Sequence, residues 1–277
     1  MKGVIEKIVR NALDEDLARG DLTTDACIEP SLAGAASFNA REPLVVAGTE
    51  VIREVFRQVD PDLDLQIAER DGTHLEPGRT AATVTGSAAS ILRAERVALN
   101  FLQRLSGVAT LARTYVNALP ANSKTRIADT RKTTPGLRAL ERHAVRVGGA
   151  HNHRWDLSSA VMIKDNHIAA CGGITAALTR ARAYAPHTSR LEVEVDTEEQ
   201  LAEAISAGAD IIMLDNFSDQ RVKDALSSIP DHVIIEVSGG ITLERINSLG
   251  AIGVDVISVG ALTHSARAVD IGLDWRA

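Results

Sequence analysis

Leu191-Glu192-Val193-Glu194-Val195, Asp210-Ile211-Ile212-Met213-Leu214 and His232-Val233-Ile234-Ile235-Glu236-Val237 are short apolar runs that return at a steady interval, with helix-like segments 198–207 and 219–227 between them. Runs of this kind, joined by crossovers of about a dozen residues or more, predict parallel strands covered on both faces. The beat continues outward in both directions. Runs 125–129 and 160–164 precede it and 255–259 follows, with further helical stretches at 137–147, 175–184 and 243–249. Six such units without a Gly-x-Gly-x-x-Gly opening favour an incomplete parallel α/β (TIM-like) barrel over a dinucleotide-binding open sheet.

The N-terminal half has a different texture. Residues 1–19 read as an amphipathic helix ending near Gly20, with Leu22-Thr23-Thr24 as the loop beyond it. β-like runs at 34–41, 44–47, 63–68 and 81–87, a helical pattern at 50–58 and a turn-rich stretch at 71–78 describe a small α+β domain. From Ser90 to Leu119 an apolar stripe (Ile91, Ala94, Val97, Ala98, Phe101, Leu102, Leu105) predicts a helix interrupted at Ser106-Gly107 that links two domains. The expected division is an α/β class chain: residues 1–107 as the N-terminal α/β sandwich with its linking helix, and 108–277 as the barrel. The extreme C-terminus is read as packing back on the N-terminal domain.

Composition narrows the function. A net charge of −7 and 3% aromatic residues exclude a general nucleic-acid binder, which needs a positive field and stacking platforms. No apolar stretch approaches the roughly 20 residues that span a bilayer. The two cysteines, Cys27 and Cys171, lack paired spacing, so a reducing, cytoplasmic setting is expected. Against the acidic average, the segment 124–154 carries eight Lys/Arg and two acids. That local excess suggests a small anionic ligand, although Arg138, Arg142 and Arg146, four apart, read equally well as a solvated helix face.

In a parallel barrel the C-terminal strand ends converge on one rim. Those ends carry cations first (Arg131, Lys132, Arg154 and Lys164, with His153 beside them), then the acids Glu194 and Asp215, then the small turns Ser238-Gly239-Gly240 and Gly260-Ala261. The cations suit a ligand with several acidic groups. The acids suit either Mg²⁺ or ribose hydroxyls, and the small turns let backbone N–H groups approach a phosphate. A Ser-Gly-Gly turn alone is more often a plain turn than a phosphate site. Together the parts describe a pocket for a small polyanion beside a phosphorylated sugar.

The stretch 127–138 (Ile-Ala-Asp-Thr-Arg-Lys-Thr-Thr-Pro-Gly-Leu-Arg), then Asn152-His153-Arg154 and Ile163-Lys164-Asp165-Asn166-His167, resembles the core of the quinolinate phosphoribosyltransferases. Further likeness runs in order through 15–24, Glu95-Arg96, 100–107, 192–196, 214–217, 238–241 and 258–265. The resemblance implies a sandwich plus incomplete barrel, assembled as a homodimer or higher even oligomer in which each active site borrows Arg96 from its neighbour. It implies that Arg131, His153, Arg154 and Lys164 bind the carboxylates of quinolinate. Lys132 would lie near the junction of the two substrates, Glu194 and Asp215 would face the ribose or its Mg²⁺, and Ser238, Gly239, Gly240 and Gly260 the 5-phosphate of phosphoribosyl pyrophosphate. Lys132, Glu194 and Asp215 would carry the catalysis, a pentosyl transfer yielding nicotinate mononucleotide, pyrophosphate and CO₂ for NAD biosynthesis. Ala150-His151, Trp155-Asp156 and Val237 depart from the family pattern near this pocket.

Overall fold

The computed structural model describes residues 1–276, which form two compact units. The first comprises Met1–Arg113, Lys132–Gly149 and the residues from Ala261 on; the second comprises Thr114–Arg131 and Ala150–Gly260. Among the described residues, no helix is long and apolar enough to cross a membrane.

The first unit begins with helices α1 (Lys2–Leu17) and α2 (Leu22–Cys27). The sequence reading of a loop at Leu22-Thr23-Thr24 is corrected here. Asp21 caps a new helix by accepting the backbone N–H of Thr24 at 3.0 Å, which satisfies an otherwise unpaired donor. Strands β1 (Ala33–Ala40), β3 (Asp64–Ile67), β5 (Thr80–Ser87) and β12 (Ile271–Trp275) form one antiparallel sheet in the order β12-β1-β5-β3, and β2 (Leu44–Val45) pairs with β4 (His74–Leu75). Helix α3 (Thr49–Val59) buries Val51, Ile52, Val55 and Phe56, one stripe at helical spacing. Phe56 meets Phe38 of β1 edge to face, with centroids 5.9 Å apart.

Helix α4 (Ala88–Asn117) runs unbroken through Ser106-Gly107, where the sequence predicted an interruption. Those residues are the helix's contact face. The Ser106 hydroxyl accepts the Ala47 N–H at 3.0 Å, and the Thr110 hydroxyl accepts that of Val45 at 2.8 Å, so polar side chains complete the hydrogen bonding of a short strand. A Cβ on Gly107 would lie 2.0 Å from the carbonyl oxygen of Arg267. Gly107→Ala is therefore expected to lose about 2 kcal/mol or more by overpacking against backbone, outweighing the roughly 1 kcal/mol that alanine gains in a helix. Thermal unfolding checks this; a raised melting temperature would show that the helix and the 267–268 segment are not in contact.

Helix α5 (Arg138–Val147) and the short α11 (Ala261–His264) also belong to this unit. Glu141, fully buried, accepts from Arg104 at 2.7 Å and from the Thr134 N–H at 3.0 Å. Arg142 is 5% exposed, so the basic run on α5 is not a plain solvated face.

The second unit is built on six parallel strands: β6 (Arg126–Ala128), β7 (Val161–Ile163), β8 (Leu191–Val195), β9 (Ile211–Asp215), β10 (Ile234–Ser238) and β11 (Val256–Ser258). Helices α6 (Asp165–Cys171), α7 (Ile174–Tyr184), α8 (Glu198–Ser206), α9 (Asp219–Leu226) and α10 (Leu243–Ile252) supply the crossovers. Consecutive strands are neighbours from β7 to β11, and β11 returns to pair with β6. The seam between β6 and β7 stays open, which makes the barrel incomplete. Only His151 adds to the β6 edge there among the described residues, donating to the Ile127 carbonyl at 2.8 Å and accepting the Asp129 N–H at 3.0 Å. Alternating residues on both faces of β8, β9 and β10 are buried, as a covered parallel sheet requires.

Candidate active site

Register lines up the strand ends. Ile163 pairs with Val193, so Lys164 and Glu194 come level at the ends of β7 and β8, and their side chains form a direct ion pair. Across β9 and β10, Asp215 pairs with Ser238. The Asp215 carboxylate accepts from the Asn216 side chain at 2.7 Å, and the Asn216 N–H donates to the Ser238 carbonyl at 3.0 Å. Asn216 (φ 56°) and Gly239 (φ 83°) both take the left-handed conformation, which turns the two strand ends against each other. Arg245 of α10 binds the Phe217 carbonyl at 2.9 Å and the Gly239 carbonyl at 3.4 Å while pairing with Asp219 at 2.8 Å. Burial would raise the Asp219 carboxyl, but hydrogen bonds from Ser248 and Arg245 hold it below its usual range. The Ser238-Gly239-Gly240 turn is thus clamped before α10, and Gly260 lies two residues beyond the end of β11.

The cationic side starts at Asp129, completely buried just past β6. Its two oxygens accept the Asn152 side-chain amide at 2.6 Å and the His153 N–H at 2.8 Å, which fixes the 152–154 segment on the rim. Arg154 follows, half-buried, donating to the Ala160 carbonyl at 3.2 Å. Burial and then the nearby positive charge of Arg131 lower its pKa. Two guanidiniums brought this close suit an anion between them.

Beneath them, His153 Nε2 stands 3.5 Å from Glu192 and 3.4 Å from Glu236, and Nδ1 accepts the Arg154 N–H at 2.7 Å. Burial opposes a charged ring, but the two carboxylates outweigh it and push the His153 pKa up to about 10. The accepting Nδ1 and the raised pKa both place a proton on Nε2, between the two carboxylates, and burial raises the pKa of Glu192. This geometry argues against a metal ion held by the three groups, since a protonated Nε2 cannot ligate one.

The N-terminal-domain profile of quinolinate phosphoribosyl transferase matches residues 21–106, and the C-terminal-domain profile matches residues 108–274. The chain belongs to the quinolinate phosphoribosyltransferase family. Among the relatives of this phosphoribosyltransferase, a Bacillus subtilis protein named as a probable nicotinate-nucleotide pyrophosphorylase (carboxylating) is 44% identical over 270 residues, covering 98% of this chain and 93% of the relative. The Mycobacterium leprae nicotinate-nucleotide pyrophosphorylase (carboxylating) is 42% identical over 272 residues, covering 96% and 95%. The solved structure of the nicotinate-nucleotide pyrophosphorylase from Francisella tularensis superposes with a TM-score of 0.95 at 38% identity, covering 100% of this chain and 97% of that one.

For this quinolinate phosphoribosyltransferase, Arg131, Lys164, Glu194, Asp215, Ser238, Gly239, Gly240 and Gly260 lie at or just beyond strand ends of the second unit, and His153 and Arg154 lie on the 152–154 segment that Asp129 holds in the same unit. Arg96, exposed on α4, and Lys132, exposed beyond β6 with its carbonyl accepting from Thr263 at 2.8 Å, lie in the first unit. Sequence reasoning missed Glu192, Glu236 and Arg245 as supports of the site. Strand alternation offered a signal for the first two, because Glu192 shares a face with Glu194 and Glu236 with Ser238. A cavity of about 510 Å³ lined by Leu201, Ile205, Arg221 and Ala225 sits on the outer helices α8 and α9 and touches none of these residues. Chemistry, not volume, locates the site.

Proposed function

We propose that the pyridine nitrogen of quinolinate attacks the anomeric carbon of phosphoribosyl pyrophosphate on this rim, breaking the bond to pyrophosphate, and that the 2-carboxylate then leaves as CO₂ to give nicotinate mononucleotide. The observation that carries the reading is the placement, on one set of strand ends, of the mutually repelling Arg131 and Arg154 with Glu194, Asp215 and the clamped Ser238–Gly240 turn. Arg131, Arg154 and Lys164 hold the two carboxylates, with His153 in the same segment. Backbone N–H groups of Ser238, Gly239, Gly240 and Gly260 face the 5-phosphate. Glu194 and Asp215 favour the positive charge that develops on the ribose as pyrophosphate departs. Their oxygens, on neighbouring strands, also suit Mg²⁺, which when bound neutralises charge on the pyrophosphate. Once the nitrogen is quaternised, it stabilises the electron pair left at C2 until a proton arrives. Quinolinate labelled in its 2-carboxylate tests the reading: labelled CO₂ appears only when phosphoribosyl pyrophosphate is present, and release without it, or none at all, refutes it.

The Lys164–Glu194 pair gives a sharper expectation, because in the free protein each substrate's ligand neutralises the other's. Glu194→Gln frees Lys164 and is expected to tighten binding of quinolinate alone by about twofold to fivefold, the scale of a part-exposed ion pair, while turnover falls. Calorimetry showing weaker quinolinate binding would contradict this.

Arg96 and Lys132 enter by resemblance: Lys132 at the junction of the substrates, and Arg96 completing the site of a second copy in a homodimer. Mixing Arg96→Ala with Arg131→Ala then rebuilds one sound site in each hybrid dimer, and about a quarter of the wild-type activity should return. No recovery in confirmed hybrids means that the sites are not shared. Cys27 and Cys171 are free thiols, which supports a reducing compartment such as the cytoplasm.

A further inference from the structure

Glu192 and Glu236 have no part in the reaction as assigned above, yet they are 3% and 4% exposed; Oε1 of Glu192 has no hydrogen-bond partner, and Oε1 of Glu236 has only the 3.4 Å approach of His153 Nε2. Two carboxylates in that condition cost stability, and aliphatic side chains of similar volume in their place are often neutral or stabilising. Folding therefore does not account for them. Their position does. Each lies two residues before a rim residue on its strand, Glu192 before Glu194 and Glu236 before Ser238, so both point the same way as the site and one layer below it. Both converge on Nε2 of His153, whose Nδ1 accepts the backbone N–H of Arg154.

We infer that Glu192 and Glu236 are positioning residues for the phosphoribosyl transfer: they clasp the Nε2–H of His153 from below, and the ring so oriented fixes the backbone that presents Arg154 to the carboxylates of the acceptor. Asp129 holds the same segment from β6 through the His153 N–H and the Asn152 side chain. The rim arginine is thus braced from three separate strands, β6, β8 and β10. The inference rests on the assignment of Arg154 to quinolinate.

The test compares two double variants. Glu192→Leu/Glu236→Leu removes both acceptors, whereas Glu192→Gln/Glu236→Gln keeps a carbonyl oxygen at each position for the Nε2–H. With phosphoribosyl pyrophosphate saturating, the leucine pair is expected to raise the KM for quinolinate by about tenfold, leaving kcat and the KM for phosphoribosyl pyrophosphate within about threefold, and the glutamine pair is expected to restore the KM to within about threefold of wild type. An unchanged KM in the leucine pair overturns the inference, and so does a glutamine pair as impaired as the leucine pair, because charge and not the clasp would then be at work. Should the leucine pair not fold, Glu236→Leu alone is read, with a rise of about threefold expected and no rise overturning the inference. Arg154→Ala is measured alongside. If it leaves the quinolinate KM unchanged, the assignment of Arg154 is wrong; if it raises the KM while the leucine pair does not, only the role given to the glutamates fails.

Discussion

Arg131→Ala is expected to raise the KM for quinolinate by about a hundredfold or more and to leave the melting temperature unchanged or slightly higher. The two effects have one cause. Arg131 and Arg154 lie close enough that the charge on Arg131 lowers the pKa of Arg154, so the free protein holds two like charges in a partly buried place. Removing one relieves that repulsion. A dicarboxylate, by contrast, loses a planar donor fork and keeps only the remaining cations, and the cost of an unpaired carboxylate in a partly desolvated site falls on binding. Steady-state kinetics and thermal unfolding on the same preparation read both effects. An unchanged KM removes Arg131 from the site. A clearly lowered melting temperature means that the arginine holds the fold together.

Gly239→Ala is expected to cost turnover about a hundredfold, with a smaller loss of stability. Gly239 has φ 83°, where an L side chain costs about 1–2 kcal/mol. The added Cβ would stand 2.3 Å from Oδ1 and 2.7 Å from N of Asn216, so the neighbouring turn must move. Asn216 has little freedom to yield. It is itself left-handed, its N–H is bound to the Ser238 carbonyl, and its side chain is bound to Asp215. The displacement therefore reaches the Asp215 carboxylate and the turn proposed to receive the phosphate together, so kcat and the KM for phosphoribosyl pyrophosphate are expected to change in concert. Gly240→Ala is the control, since a Cβ at Gly240 meets nothing within 4 Å. If Gly239→Ala and Gly240→Ala are equally mild, the clamped turn is not part of the site.

What the sequence disclosed and what it hid follow from the range of the interactions. Strand 191–195 and its companions were legible because burial on both faces writes an apolar run into the chain itself, and the rim residues follow from the strand ends. The helix at Leu22–Cys27 was hidden because its decisive feature is one capping bond from Asp21 to Thr24. Gly107 looked like a break because a glycine in a helix costs stability; only the passing backbone of Arg267 shows why it is needed. Arg142 read equally well as a surface charge, and it is buried on a helix whose Glu141 is held by Arg104, 37 residues away. The extreme C-terminus was read as packing back on the N-terminal domain, but its pairing as β12 with β1 joins residues more than 230 positions apart, and no local pattern gives that strand or its register. Glu192 was readable in principle from alternation alone, but its meaning required the imidazole that approaches from the 151–154 segment.

The most direct test of the central claim is the specificity of the wild-type protein for its acceptor. With phosphoribosyl pyrophosphate and Mg²⁺ present, formation of nicotinate mononucleotide is followed with quinolinate and, separately, with nicotinate, which has a single carboxylate. The proposed reception of a dicarboxylate by Arg131 and Arg154 predicts product from quinolinate only, with stoichiometric CO₂. Equal turnover of nicotinate, or no product from quinolinate in a folded protein that still binds phosphoribosyl pyrophosphate, would contradict the account and point to another acceptor, with His151 and Trp155 as the first residues to change.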